Sequence, residues 1–263
     1  MAFTAKDVQA LRQLTGVGML DAKNALQETD GDMDEAQKLL RVKGLASAAK
    51  RTDREAAQGA VSVVKDGNCA AIVEVRCETD FVAKSDEFVK IVDEMAAAVA
   101  RDGEGAIESF AETIETLLTT LKENISVGKV VRLCAGEDEI VDTYLHIQHG
   151  RGVNAVAVVA RGVSQELAHE VALNCSFMKP LYLTRDEVPS EEVESERKTI
   201  EEISRNEGKP EAALPKIIDG RLNAWFKDRV LLEQTYQKDD KQNIQQLIGS
   251  GAITAFAQVE IGA

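Results

Sequence analysis

A pattern of glycine turn, apolar strand and helix occurs twice in this chain of 263 residues. Residues 67–75 parallel residues 152–160, and each run is predicted to pair with a preceding strand in a hairpin. The hairpin partners and the helices that follow are predicted at 60–64 and 87–100, and at 143–147 and 166–175. This pattern predicts an α+β fold with two repeated α/β subdomains and antiparallel sheets.

The segment between strand and helix is six residues longer in the first copy, around residues 79–82. Because the second copy is expected to pack without such residues, the fold does not require them. Segments of that kind are where binding residues concentrate. Phe81 could still cover the protein's own core, as most large apolar side chains do. The additional segment instead favours an exposed Phe81 beside Asp80 on a polar loop.

Residues 4–44 are typical of three short helices, a unit similar in size to ubiquitin-associated domains. Thr4 with Asp7 predicts an N-terminal cap, and Asp32 is expected to cap the third helix. Residues 45–59 are predicted to form a linker. The apolar faces are expected at Val8, Leu11 and Leu14, at Met19, Ala22, Ala25 and Leu26, and at Ala36, Leu39, Leu40 and Val42.

Residues 190–228 predict a helical hairpin that interrupts the second subdomain. Ser190 is expected to cap its acidic first helix, and a short turn at residues 208–210 requires the two helices to be antiparallel. The alternating tail at residues 253–261 is expected to complete the second sheet.

These patterns predict five divisions of the chain. They are the N-terminal helical domain with its linker (1–53), the first core subdomain (54–142), the first part of the second core subdomain (143–183), the hairpin (184–228) and the second part of that subdomain (229–263).

Composition limits the function classes. A net charge of −14 argues against direct nucleic-acid binding, which needs clustered basic residues. The basic residues Lys50, Arg51 and Arg54 suit a solvated linker. No segment approaches the ~18–20 apolar residues of a membrane span, and the N-terminus lacks an apolar signal core. A cytoplasmic protein with a protein partner and no membrane contact is therefore expected.

The sequence contains no pattern typical of a catalytic or metal site. The four cysteines are widely spaced, so neither a disulfide framework nor a zinc site is expected, and Cys69 and Cys175 are interpreted as small core residues. His146 and His149 lack further ligands nearby. Phosphate-loop and nucleophile-elbow motifs are absent. We therefore expect a binding protein rather than an enzyme.

Two segments resemble signatures of the bacterial elongation factor Ts family, the nucleotide-exchange factors of elongation factor Tu. They are residues 11–26, LRQLTGVGMLDAKNAL, and residues 77–84, CETDFVAK. The resemblance extends over essentially the whole chain. This chain has Ala22 where the family often has Cys, and Lys122 where it often has Gly. Residues 174–180 are bulkier than the family's Ala-rich version.

The resemblance implies a guanine-nucleotide exchange factor that binds Tu and needs no bound cofactor. Phe81 would act as a wedge near the magnesium and nucleotide site of Tu, with Asp80 holding it through hydrogen bonds. The residues implied to bind Tu are Thr79, Asp80, Phe81 and Val82, Arg12, Met19 and Leu20 on the N-terminal unit, and His149.

Two other functions remain open from the residues alone. An adaptor could bind peptides or ubiquitin-like surfaces through its three-helix head. A hydrolase could use Cys77 and His149. Self-association through the helical hairpin is a further hypothesis.

Overall fold

The computed structural model describes residues 3–49, 51 and 54–262, without the side chains of residues 45–49. Lys50 and the predicted boundary after residue 53 lie outside this part. The helices are α1 (Ala5–Thr15), α2 (Met19–Glu28), α3 (Met33–Ala49), α4 (Asp80–Ala83), α5 (Asp86–Asp102), α6 (Ala111–Thr120), α7 (Gln165–Met178), α8 (Ser190–Asn206), α9 (Leu214–Arg229) and α10 (Ile244–Ile248). The strands are β1 (Gln58–Asp66), β2 (Cys69–Cys77), β3 (Ser126–Cys134), β4 (Glu139–Gln148), β5 (Arg151–Arg161), β6 (Thr235–Tyr236), β7 (Asp239–Asn243) and β8 (Ala252–Glu260).

The three N-terminal helices share a small core of their own. The Thr4 hydroxyl accepts a hydrogen bond from the Asp7 backbone N–H at 3.4 Å, and the Asp7 carboxylate accepts one from the Thr4 N–H at 2.6 Å. Asp32 caps α3 by accepting from the Glu35 N–H at 2.9 Å. Both predicted caps are confirmed. The core consists of Val8, Leu11, Ala22, Ala25, Leu26, Ala36 and Leu40.

Three apolar residues predicted for that core are exposed instead, and one of them is Met19 in the first turn of α2, which is 49% exposed. Leu14 is 67% exposed and Val42 is 65% exposed. Each lies six positions after a buried residue, Val8 and Ala36 respectively, and six positions turn an α-helix about 120° away from the starting direction. The assignment of all three residues to the core face was therefore wrong.

The third helix also ends later than predicted. It continues past Gly44 to Ala49, so residues 45–49 are helical rather than part of a linker. The alanine-rich composition there favours helix. Gly44 serves close packing, because a Cβ at this position would lie 2.4 Å from the Thr119 Cγ2 atom of α6. The N-terminal unit thus packs directly against the first subdomain.

Two antiparallel three-stranded sheets confirm the predicted repeat. Their strand orders are β1-β2-β3 and β4-β5-β8, so the C-terminal strand completes the second sheet as expected. Strand β4 begins at Glu139, four residues before the predicted start, and contains the predicted boundary between residues 142 and 143.

The central strands β2 and β5 are buried on both faces. On one face of β2, Ala71, Val73 and Val75 pack in the core that includes Phe88 of α5. On the other face, Ala70 and Ile72 share a core with Ala155, Ala157 and Val159 of β5. The opposite face of β5 packs in the core that includes α7. The two sheets therefore lie face to face between two helical layers, which explains their nearly continuous apolar sequences.

The helical hairpin has a separate core. Its two ends return to one place, where Tyr182 forms a bridge with Val230, so α8 and α9 are antiparallel as predicted. Ser190 is the first residue of α8 rather than its cap; Pro189 occupies the cap position without a side-chain hydrogen bond. A residue with helical backbone cannot take the extended N-cap conformation. The hairpin core includes Ile200, Leu214, Ile218, Leu222 and Phe226.

The absence of a disulfide was also predicted wrongly, because Cys69 and Cys134 form one. The two cysteines are direct neighbours across β2 and β3, with Cα atoms 4.0 Å apart. Their sequence separation of 65 residues gives no sign of this, since strand register alone brings them together. Cys77 and Cys175 are free and buried, which confirms Cys175 as a core residue.

We expect protein purified without reductant to expose two titratable thiols in denaturant, from Cys77 and Cys175. After reduction it should expose all four. The folded protein should react slowly, because burial raises the pKa of the Cys77 thiol to about 12 and keeps it protonated at neutral pH. Titration with a chromogenic disulfide reagent gives these numbers. Four thiols in unreduced, denatured protein would contradict the disulfide.

Candidate functional site

The additional segment of the first copy is an ordered helical turn. Eight residues, 78–85, separate β2 from α5, whereas three, 162–164, separate β5 from α7. The predicted insertion is confirmed, although by these bounds it is five residues long rather than six. Residues 80–83 form α4 instead of an irregular loop, because the Thr79 hydroxyl caps the turn by accepting from the Val82 N–H at 3.4 Å.

One side of α4 is anchored in the core and the other faces outward. Ala83 is fully buried, and Val82 is half-buried against the core beneath the first sheet. Asp80 is exposed, and the Phe81 side chain is 74% exposed. The prediction that Phe81 stands outside its own core is confirmed. Its role in binding stays a prediction.

Lys84 contacts both outward-facing residues. Its Nζ atom lies 3.1 Å from Asp80 Oδ2 and 4.6 Å from the centroid of the Phe81 ring. The hydrogen bond from Lys84 lowers the pKa of the Asp80 carboxyl, which therefore stays ionised at neutral pH. In water such exposed contacts are weak, but together they hold the ring beside the carboxylate.

The base of α4 is held by a carboxylate that the sequence did not point to. Glu123, between α6 and β3, accepts hydrogen bonds from the backbone N–H groups of Glu78 at 3.0 Å and Thr79 at 3.1 Å. It also accepts one from the Thr79 hydroxyl. In return, the Glu78 carboxylate accepts from the Asn124 N–H at 2.6 Å. Thr79 thus supports α4 from its half-buried position.

The predicted N-terminal binding residues are also exposed. Arg12 lies on the solvent side of α1, while Met19 and Leu20 in the first turn of α2 are 49% and 68% exposed. Lys122 connects this helix to the segment that holds α4, since its Nζ atom lies 3.0 Å from Asp21 Oδ2. Lys122 has a φ of +59°, a left-handed backbone conformation that favours glycine.

His149 occupies the tip of the β4–β5 hairpin. His149 and Gly150 both have positive φ, 53° and 81°, as two-residue hairpin loops of type I′ require. The neighbouring Arg151 donates to the Gly59 carbonyl and the Gln58 side chain, each at 2.8 Å. Gln58 pairs with Cys77, the last residue of β2. The exposed His149 turn therefore lies at the end of the first sheet from which α4 emerges.

Several findings bear on the alternative functions. Cys77 is fully buried, and its raised pKa opposes the role of nucleophile. Among the described residues, no group of three or more His, Cys, Asp or Glu side chains could hold a metal ion. In that same part of the chain, none of the helices combines the length and the apolar character needed to span a bilayer.

Comparison with known proteins gives a consistent family. A family model described as Elongation factor TS matches residues 78–263. The protein named Elongation factor Ts of Kineococcus radiotolerans is 45% identical over 276 residues, covering 100% of this chain and 99% of that protein. Proteins of the same name from Clavibacter sepedonicus and Mycobacterium tuberculosis are 42% and 43% identical, each over 99% of this chain and over 99% and 98% of their own lengths. The similarity thus includes the N-terminal helices.

Two phenylalanines seven positions apart should respond very differently to truncation. We expect Phe81→Ala to change the free energy of unfolding by less than ~0.5 kcal/mol, as usual for exposed positions. Phe88→Ala should lower it by about 3–5 kcal/mol, because that ring is almost fully buried. Denaturant unfolding measures both. A large loss for Phe81→Ala would show that the ring stabilises its own fold.

Proposed function

The chain belongs to the elongation factor Ts family, and we propose that it is a guanine-nucleotide exchange factor that binds elongation factor Tu and promotes release of GDP. Membership in this family assigns the protein to translation elongation. The observation that carries the finer proposal is Phe81, a large apolar ring kept outside the core on an anchored turn. Aromatic residues are enriched in protein–protein interfaces, and binding residues concentrate on segments that connect the elements of a fold.

In the proposed mechanism, α4 enters between two helices of the nucleotide domain of Tu. Phe81 acts as the wedge, and Asp80 holds it by accepting hydrogen bonds from the partner. Thr79 and Val82 support the turn from their half-buried positions. Displacement of those helices disturbs the magnesium site, and a diphosphate without its cation is held weakly. GTP can then bind in place of the released GDP.

One ring cannot account for the whole effect. Burial of a phenylalanine stabilises a complex by roughly 1.5–3 kcal/mol, whereas nanomolar nucleotide binding corresponds to about 12 kcal/mol. The remainder has to come from a wide interface, and Arg12, Met19, Leu20 and His149 are the exposed residues proposed to extend it. Because coupling is reciprocal, nucleotide should release this factor from Tu as the factor releases nucleotide.

The proposal needs no covalent step by this protein and no cofactor of its own. It places the protein in the cytoplasm, where translation takes place, and does not require contact with nucleic acid or a membrane. The exchange follows from binding alone, with the magnesium and GDP belonging to Tu.

The packing of the N-terminal unit supports this role over that of an independent adaptor head. Arg41 on α3 pairs with Glu112 at 3.1 Å and Glu115 at 2.9 Å on α6. Gly44 packs on Thr119 of the same helix. A head held in this way presents its residues together with α4. Deletion of residues 1–50 should therefore weaken Tu binding while leaving partial affinity through the core.

We expect Phe81→Ala to slow GDP release by about ten- to a hundredfold, because the lost burial applies to the state from which nucleotide leaves. Stopped-flow fluorescence of labelled GDP on Tu measures this rate. Phe177→Ala is a matched control, since Phe177 is also exposed, by 70%, but lies at the end of α7. Release at the parent rate from Phe81→Ala would overturn the wedge mechanism.

We expect Asp80→Ala to slow exchange without lowering the unfolding temperature, because this carboxylate is exposed and its side-chain hydrogen bond is to the exposed Lys84. The depressed pKa means that the charge is lost only as pH falls into the acidic range. Exchange should therefore not titrate with Asp80 between about pH 6 and 8. A marked drop in melting temperature would make Asp80 structural.

Self-association through the hairpin of α8 and α9 is a separate proposal. Ile203 on this hairpin is 45% exposed and offers an apolar contact. Sedimentation of the protein alone and with Tu distinguishes monomers from pairs, and Ile203→Ser should shift any dimer towards monomer. A monomeric parent protein at micromolar concentration would remove this hypothesis.

A further inference from the structure

Residues 121–125 join α6 to β3, and this segment holds the base of α4. We propose that Glu123 is a positioning residue for exchange, which keeps α4 ordered and correctly oriented before the partner is bound. The inference rests on the proposed exchange function, because the orientation of α4 has a consequence only if Phe81 enters a partner.

The hydrogen bonds of Glu123 meet a specific need of the backbone. The ladder between β1 and β2 ends at Cys77, so the next two N–H groups, of Glu78 and Thr79, have no strand partner. They also precede α4 and cannot bond within it. Both donate to one oxygen of Glu123, while the Thr79 hydroxyl donates to the other. Bonds to an ionised acceptor are roughly twice as strong as neutral ones.

Hydrogen bonds run in both directions between the two segments. Asn124 donates its backbone N–H to the Glu78 carboxylate at 2.6 Å, so two adjacent residues on each side face one another. One such bond would leave α4 free to pivot about Thr79. The paired arrangement fixes both the position and the direction of the chain as it enters α4.

The same short segment reaches the N-terminal unit. Lys122, next to Glu123, contacts Asp21 of α2, the helix that carries Met19 and Leu20. Lys122 has a left-handed backbone conformation just after α6, and the chain changes direction there. The adjacent side chains of Lys122 and Glu123 therefore contact different elements, α2 and the residues before α4. Glu123 therefore sets α4 relative to the surface on which the N-terminal contact residues lie.

Order in α4 before binding has a kinetic and energetic benefit. A four-residue helix has little stability of its own, because helix formation is limited by its first turn. If α4 were disordered, the entry of α4 into the already bound partner, which is the step that releases nucleotide, would have to supply the lost conformational entropy. Glu123 removes this cost because it orders α4 beforehand. Removal of the Glu123 carboxylate should therefore slow nucleotide release more than it weakens binding through the rest of the interface.

The test measures GDP release from Tu over a range of factor concentrations, using the full chain. For Glu123→Ala we expect the maximal rate to fall about tenfold, with the half-saturating concentration changed less than about threefold. Hydrogen exchange of the Glu78 and Thr79 amides should become faster. Glu123→Gln, which keeps an acceptor oxygen, should restore most of the rate.

Glu139→Ala is the matched control. Its carboxylate accepts from the Gly136 backbone N–H at 2.9 Å, in the turn before β4 and near the opposite end of the first sheet. This variant should release GDP like the parent protein. If Glu123→Ala fails to fold, Glu123→Asp keeps the charge but shortens the reach, and it should show the same loss of maximal rate in a folded protein.

The outcomes separate the two proposals. Parent-like release by Glu123→Ala or the folded Glu123→Asp, together with slow release by Phe81→Ala, overturns the positioning role and leaves the exchange function intact. A rise in half-saturating concentration without a fall in maximal rate also overturns it, since Glu123 would then act only in affinity. A parent protein that does not accelerate GDP release at all overturns both.

Discussion

Face-to-face packing of the two sheets is the constraint on which the arrangement of this protein depends. Alternate residues of β2 and β5 face each other across a shared core, while their other faces pack in cores with α5 and α7. The approach is close: a Cβ on Gly152 would lie 2.1 Å from the Val61 carbonyl oxygen. This contact brings the His149 turn to the end of the first sheet. The sheet packing thus brings His149 to the same end of the first sheet as α4, although the two lie far apart along the chain.

Keeping a phenylalanine in water opposes the hydrophobic effect, so the surrounding structure has to hold it there. Ala83 and Val82 anchor α4 from below, Glu123 holds its base, and Lys84 engages its outward face. The turn is thus anchored where it joins the fold, and it presents an apolar ring beside a carboxylate where it meets solvent. That combination supports the proposal that Phe81 acts as a wedge in a partner protein.

Much of the fold could be predicted where local rules decide the structure. The repeat, the caps at Thr4 and Asp32, the hairpin and the closing strand all follow from periodicity and capping chemistry. The errors occurred where a local pattern had more than one outcome. Ser190 has a residue type that often caps helices, yet α8 already includes it. Leu14 and Val42 continue the apolar patterns of their helices, but both lie on the exposed side of the helix.

The sequence by itself determined that the first copy carries an additional segment and that this segment contains Asp80 and Phe81. Tertiary structure alone decided what holds that segment. Glu123 is separated from Thr79 by 44 positions, and Cys69 from Cys134 by 65. No periodicity connects such pairs, because strand register and helix packing set their distance. The exposed ring was therefore predictable from the chain, and its support was not.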